Sequence, residues 1–539
     1  MGLQHRVLMM LLMGGSGLAV AAAAGASLPS AQASAPGPDG VTVAIATLLN
    51  GPEVLVVDGQ RLDARALRQL YEPRGYRPVW AGGEDASERA SEIADALAHA
   101  SAHGLEPATY HQQAIARRAS DPKPAGRASL DVLASDGLIR LIEHLRTGAV
   151  RPESLGGDIA VESRPVDAQA LVLEAAAATD LSAFLDGLAP QTETYRGLME
   201  ALARYREIAR TGAWPVVPVK GPTVRPGESD PSIPIVRARL AKTGEYPDVD
   251  PEAPTLYDDA LATAVKAFQA RHGVTPDAAL GAATRAALAV PVEERIGQLQ
   301  ANLERARWFS GEPGSRYVAV NVPSYDLVLV EDGSTVLKMP VVVGRKDRPT
   351  PVLGTYITEL IFNPTWTVPP TLLRQDFLPK MQRNPGYLAK RGLQVVSSRS
   401  LTLRQPPGPK NPLGRVKFLM PNPFSVYLHD TTSKGLMREP RRAMSSGCVR
   451  LGDALGLANR LLADDPRWTP AVRKQFLTGW TTRYVALREP VPVYLRYQTA
   501  WQDGDNGVQF REDVYGRDAE LARALAPAPK AAKAVTPSA

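Results

Sequence analysis

A multidomain α+β architecture is predicted for this 539-residue chain, and three observations predict it. The length exceeds what one hydrophobic core supports and points to three or four units. Apolar residues recur at helical spacing between about residues 41 and 225. From Arg316 onward they fall in short β-rich runs instead. With 44% hydrophobic and 22% charged residues, the chain has enough apolar surface to fill such cores.

The N-terminus carries Arg6, then an apolar run from Val7 to Ala24, then the small-residue sites Ala24-Gly25-Ala26 and Ala31-Gln32-Ala33. Residues 1–33 therefore read as a secretory signal peptide, and the expected location is the periplasm. Retention of the segment would leave an inner-membrane anchor, although Gly14-Gly15-Ser16-Gly17 interrupts its apolar run. Net charge is +6, or +5 without Arg6, the only charged residue before Asp39. That modest basic excess suits acidic polymers or surfaces. Nucleic acid fits that charge equally well, but export and the lack of a basic-aromatic motif count against it, and no nucleic-acid partner is expected.

Helical periodicity over Ser91–His103, Leu130–Leu145 and Leu198–Ile208 makes residues 41–225 a helical domain. His99, His103 and His144 sit in these patterns as packing or surface residues, with no metal-site spacing to a cysteine. A proline-rich stretch, Pro215 to Pro234, reads as a linker to a compact unit over 233–290. In that unit Leu261, Val265 and Phe268 share one helix face, and Gly273 ends the helix. A connecting helix is expected over 291–315, followed by a mainly β domain over 316–498. Residues 363–423, rich in Pro and Gly, are too long for a hairpin loop and form a candidate lid or capping insertion. The C-terminal extension 499–539 is expected to be partly disordered, in the tail after Leu525, which is rich in Ala, Pro and Lys.

Chemistry concentrates in Val426-Tyr427-Leu428-His429-Asp430 and Ser445-Ser446-Gly447-Cys448-Val449-Arg450-Leu451. Cys448 is the only cysteine, so no disulfide can form within the chain, and a lone cysteine in an exported protein is either a small buried hydrophobe or a reactive thiol. His429, 19 residues before it, is the only histidine after His272. An imidazole is what a thiol needs to become a nucleophile near neutral pH. Tyr427 and His429 would share a strand face. Gly447 lets backbone approach a substrate carbonyl, so the amides of Gly447 and Cys448, with the Tyr427 hydroxyl, could form an oxyanion site. Arg450 could hold a carboxylate or be a surface ion pair.

The two segments resemble the catalytic motif of the L,D-transpeptidase family (YkuD-like domain): an upstream histidine followed by Ser/Thr-x-Gly-Cys-x-Arg/Asn. Ser446 stands where many members have histidine, as in the large periplasmic subgroup. The likeness extends through Val341–Arg345, Phe362–Pro370 and Gly408–Gly414. It implies Cys448 as nucleophile, His429 as base with its other nitrogen on the Asp430 carbonyl, and an oxyanion hole of Tyr427 with the Gly447 and Cys448 backbone. Arg450, Ser446 and Trp366 fall on the substrate side. Residues 233–290 resemble a three-helix peptidoglycan-binding domain through Tyr257-Asp258, Ala264–Gln269, His272-Gly273, Asp277, Gly281 and Thr284. Gly75–Trp80 and His103-Gly104-Leu105 resemble the scaffold domain of the same large enzymes.

The resemblance implies peptidoglycan stem peptides as substrate, with 3→3 cross-linking through a Cys448 thioester and release of D-Ala from a tetrapeptide donor. No metal and no organic cofactor is expected. Carbapenem-type inhibitors are expected to acylate Cys448, and other cell-wall enzymes are potential partners. Two alternatives stay open: L,D-carboxypeptidase activity, with water as acceptor, and a non-catalytic peptidoglycan-binding protein whose cysteine is structural.

Overall fold

A computed structural model describes residues 39–51, 54–82, 85–162, 165–247, 252–309, 314–397 and 401–526. The expected signal peptide and the end of the C-terminal extension lie outside these residues. Among those described, no helix is long and apolar enough to cross a membrane.

The first region contains α1 (Ala86–His99), α2 (Pro124–Thr147) and α3 (Glu193–Arg210). Helix α2 is buried on nearly all sides, including Leu130, Val132, Leu133, Leu138 and Ile142, because the other helices surround it. Its buried Asp131 accepts the backbone N–H groups of Val79, Trp80 and Ala81 at 3.0, 2.8 and 2.7 Å, and the Tyr71 hydroxyl. The Gly75–Trp80 phrase is thus a clasp that ties the chain to the central helix, satisfying a carboxylate that burial would otherwise leave costly.

The small unit has α4 (Ile233–Thr243), α5 (Asp259–Arg271) and α6 (Ala282–Leu288). Leu261, Val265 and Phe268 line its core as their spacing requires. The proline-rich stretch is not simply a linker. Val217 and Val224 are buried in this same core, and Val224 bridges Leu280, so the prolines stiffen a segment that packs.

Helix α7 (Val292–Trp308) is shared between regions. Leu299 and Leu303 join the core of the helical region. Gln298 donates to the Thr499 and Arg511 carbonyls at 3.1 and 2.9 Å, and Asn302 Nδ2 donates to Thr499 Oγ1 at 2.7 Å. The extension after 499 is accordingly built into the fold as far as residue 526, and the tail expected to be disordered after Leu525 lies almost wholly outside the described residues. A hairpin of Ala500–Gln502 and Val508–Phe510 buries Ala500 and Phe510 in the helical core, and α8 (Arg517–Leu525) packs on α7 through Leu521.

Eight strands of the β region close into a ring: β1 (Arg316–Asn321), β2 (Asp326–Glu331), β3 (Ser334–Gly344), β4 (Val352–Phe362), β5 (Val416–Leu419), β6 (Leu428–His429), β7 (Val449–Leu451) and β8 (Arg483–Arg496). The order β5-β6-β7-β3-β2-β1-β8-β4 returns to β5 through pairing of Val416–Leu419 with Glu359–Phe362. Closure removes free edges, and alternate residues such as Val318, Val320, Leu327 and Leu329 fill the interior. Strand β5 lies inside the span 363–423, so the inserted cap is shorter than the sequence suggests. The cap has its own core of Val368, Phe377, Leu393 and Leu403, and a small sheet in which Thr402–Gln405 pairs with Trp366–Thr367 and Gln394–Ser397.

Candidate active site

Three strands of the ring build the site. Strand β6 runs parallel to β7 with Leu428 beside Val449 and His429 beside Arg450. Strand β5 runs antiparallel to β6 with Phe418 beside Leu428 and Lys417 beside His429. The alternation that buries Phe418, Leu428 and Val449 inside the ring turns Lys417, His429 and Arg450 to its other face as one cross-strand row. Tyr427 and Cys448, each one residue before its β6 or β7 core residue, form the adjacent row.

His429 is buried, and its Nδ1 donates to the Asp430 carbonyl at 2.5 Å. A carbonyl only accepts, so the proton is on Nδ1 and Nε2 carries the free lone pair. Asp430 is fixed in turn: its side chain accepts from the Arg415 amide at 2.8 Å and from Lys434 Nζ at 2.6 Å. Burial first, then the Arg450 and Lys417 charges, push His429 down to about 3, against the opposing pull of Asp430. The imidazole is therefore neutral at physiological pH.

Cys448 is half-buried. Burial raises its thiol above the ordinary value, while the Tyr427 backbone N–H and hydroxyl, Lys417 and Arg450 oppose that rise. Burial, then the nearby Cys448 sulfur, raises the Tyr427 hydroxyl pKa, and the Trp366 side chain opposes that rise. Trp366 thus reaches the centre from the cap by way of Tyr427. Lys417 Nζ sits 3.9 Å from the Tyr427 ring centroid. Burial lowers the Lys417 pKa and Cys448 offsets that fall. Among the described residues, no carboxylate pairs with Lys417 or Arg450.

The turn before Cys448 is held from inside. Gly447 has φ +112°, a backbone position that favours glycine. Ser445 Oγ donates to the Cys448 carbonyl at 2.6 Å and accepts the Gly447 amide at 3.2 Å. The Gly447 N–H is thereby committed and is not a free oxyanion donor, which corrects the pairing of amides expected from sequence. What Gly447 supplies is the turn. Thr350 Oγ1 donates to the Gly447 carbonyl at 2.8 Å, and the Tyr515 hydroxyl donates to Gly344 O at 2.6 Å while accepting the Thr350 amide at 3.2 Å. Ser446 is exposed and accepts from Arg348 at 3.3 Å; Arg348 also pairs with Asp376 of the cap at 2.5 Å.

Lys417, Arg348, Thr350 and Tyr515 were not singled out from sequence. Only Lys417 had a signal there, as the polar residue inside the alternation Val416-Lys417-Phe418. One group of potential metal-ligand atoms converges elsewhere: His99, His103 and Asp186, within 4.8 Å of one another in the helical region. There His103 Nε2 donates to Asp186 at 2.9 Å and Nδ1 meets the Tyr195 hydroxyl at 3.0 Å. Hydrogen bonding accounts for that arrangement.

A half-buried thiol with a neutral, oriented imidazole in the neighbouring row, a phenol at the sulfur and two unpaired cations is equipped for acyl transfer to sulfur. The family model for the L,D-transpeptidase catalytic domain (YkuD) matches residues 315–475. Residues 315–475 are thus similar to the L,D-transpeptidase catalytic domain. A scaffold-domain model matches residues 65–202, and one described as "Putative peptidoglycan binding domain" matches residues 229–288. A "Putative L,D-transpeptidase" of Haemophilus influenzae is 33% identical over 222 residues, covering 38% of this chain and 45% of that protein. The chain thus matches under half the length of this curated relative. Solved L,D-transpeptidases from Xylanimonas cellulosilytica (17% identity, 52% of this chain and 99% of that one, TM-score 0.18) and Mycobacterium smegmatis (12%, 34% and 58%, 0.19) are also similar.

Proposed function

We propose that this chain is a periplasmic L,D-transpeptidase that joins peptidoglycan stem peptides by 3→3 cross-links through a Cys448 thioester. The observation that carries the reading is the parallel pairing of β6 with β7, which aligns Tyr427 and His429 with Cys448 and Arg450. Neutral His429 takes the thiol proton through Nε2 as Cys448 attacks the L-centre carbonyl of a tetrapeptide stem. The developing oxyanion is held by the Cys448 amide and the Tyr427 hydroxyl. Collapse expels D-Ala, which takes the proton back from His429. A side-chain amine of a second stem then attacks the thioester and restores the thiol.

The unpaired cations Lys417 and Arg450 support a carboxylate-bearing donor, since bringing one there compensates charges already partly desolvated. Trp366 and Ser446 sit at the cap side of the same centre. The unit over 229–288 would hold the enzyme on the polymer, and the N-terminal segment would export it. Defined tetrapeptide muropeptides incubated with the full chain test the reading by mass analysis of products. A 3→3 dimer with loss of D-Ala is expected. Tripeptide alone would replace it with L,D-carboxypeptidase activity, and unchanged substrate would remove the enzymatic reading. A carbapenem should add one covalent mass to the protein and none to Cys448→Ala.

A further inference from the structure

A cavity of about 340 Å³ lies where α7, the start of α3, the end of β8 and the C-terminal extension meet, and no residue of the cysteine centre lines it. Three arginines reach its wall. Arg305 pairs with Asp518 at 2.5 Å, and Arg517 pairs with Asp158. Arg496, the last residue of β8, has no such partner: among the described residues no carboxylate lies within ion-pair distance, and its Nε is buried without a hydrogen bond. Its guanidinium instead stacks on Phe309 and Tyr494, 5.5 and 5.0 Å from the ring centroids. Arg517 Nη1 is likewise buried and unbonded. The one acid on the wall, Glu520, forms no ion pair with any of the three.

A half-buried guanidinium that has no carboxylate partner and a buried, unbonded Nε is a ready acceptor site for an anion from outside the protein. The wall beside it is aromatic, as small-molecule sites are when a few polar groups fix orientation. We propose that this cavity is a second ligand site for a small molecule with one carboxylate, seated on Arg496 with its body against Phe309 and Tyr317. A monoanion fits better than a phosphate dianion, because only one of the three guanidiniums lacks an acid and Glu520 would repel the second charge. A planar carboxylate can take two guanidinium N–H groups at once. Such a carboxylate could come from the lactyl group of an amino sugar or from the end of a short D-peptide.

Isothermal titration of the full chain with N-acetylmuramic acid and with N-acetyl-D-alanyl-D-alanine tests this, with N-acetylglucosamine and the peptide amide as uncharged counterparts. One acid is expected to bind at one site while its neutral counterpart does not, and which acid binds identifies the source. Arg496→Met should weaken binding roughly ten-fold or more, the scale of a lost charge-assisted pair. Thr194→Trp, which fills the cavity from α3 and leaves Arg496 in place, should abolish it. Arg450→Met, at the cysteine centre, should leave it unchanged. If Arg496→Met does not fold by circular dichroism, Thr194→Trp decides alone. Failure of both acids to bind, equal binding of a neutral counterpart, full binding by Thr194→Trp, or loss in Arg450→Met alone would overturn the proposal.

Discussion

In the small helical unit the motif residues bond to one another, whereas at the cysteine centre they confront one another with charges unpaired. Gln269 illustrates the first case. Its Nε2 donates to Asp277, the Ala279 carbonyl and Thr284 Oγ1 at 3.0, 3.1 and 3.0 Å, and its Oε1 accepts the Ala278 amide at 2.9 Å. Tyr257 donates to the Ala278 carbonyl at 2.7 Å, and His272 stacks on Phe268 at 3.8 Å. Cys448, His429, Lys417 and Arg450 illustrate the second, with a raised thiol, a lowered imidazole and two cations facing them. A motif can therefore encode a fold or a reaction. The distinction lies in whether its polar groups are satisfied.

The largest effects should come from the unsatisfied set. Cys448→Ala should abolish acyl-enzyme formation by intact mass while leaving the melting curve close to that of the parent. His429→Ala should cost roughly 10²–10⁴-fold in turnover, the range of general acid–base catalysis. The double variant should be no worse than Cys448→Ala, since residues that act as one unit are not additive. Full turnover by either single variant would move the site into the same class as Gln269.

The next effect concerns protonation. With the thiol raised and His429 held near 3, the resting pair is thiol and neutral imidazole rather than thiolate and imidazolium. Iodoacetamide labelling of Cys448 depends on thiolate, so its rate should still be rising at pH 9, where a free cysteine has passed its ordinary value of about 8.5. Lys417→Met should slow labelling further by removing a cation that favours the thiolate. A labelling rate that levels off below pH 8 would establish the ion pair instead. Carbapenem acylation, in contrast, should show no acid limb near 6.5, because His429 is already deprotonated there.

From the satisfied set, Gln269→Leu should destabilise the small unit by about 1–3 kcal/mol, since the Ala279 carbonyl and the Ala278 amide lose a buried partner. Turnover of soluble tetrapeptide should be unchanged. Equal loss of activity would mean that the two regions are not separable in the way their bonding suggests.

Much of this was legible in sequence wherever a periodicity or a local motif carried it. Helical spacing located α2, α3 and α5, alternation located the long strands of the ring, and adjacency in sequence joined Tyr427 with His429 and Gly447 with Cys448. What sequence could not carry was pairing across distance. Lys417 enters the site only because β5 pairs with β6, and Thr350 only because the 344–350 loop folds under Gly447. Val217 and Val224 lie among prolines whose composition suggests a linker, yet each fills a gap in a core built by helices further along. The extension beyond 499 has ordinary local composition, and its order comes from α7, whose Gln298 and Asn302 hold Thr499.

The smallest effect tests whether the satisfied region is also sensitive to acid. His272 is buried between Phe268 and Phe510, with Nδ1 on the Phe268 carbonyl at 2.8 Å and Nε2 without a partner. Burial, then Arg271 and Arg295, hold it well below the ordinary imidazole value. The unfolded chain takes up that proton near 6.5 and the folded one only far lower, so the unfolded state binds more protons in between. Stability is full above about pH 6.5 and falls as pH drops below it; His144, held at about 4, adds to the same slope. His272→Phe keeps a ring between the two phenylalanines and removes the titrating group. At pH 7 the loss of one hydrogen bond should cost about 1 kcal/mol, partly returned by removal of the unbonded nitrogen. Between pH 7 and pH 5 the variant should lose less melting temperature than the parent. Parallel melting-temperature curves over that range would mean that His272 titrates normally and that the docking of the small unit on Phe510 opens before the rest of the chain unfolds.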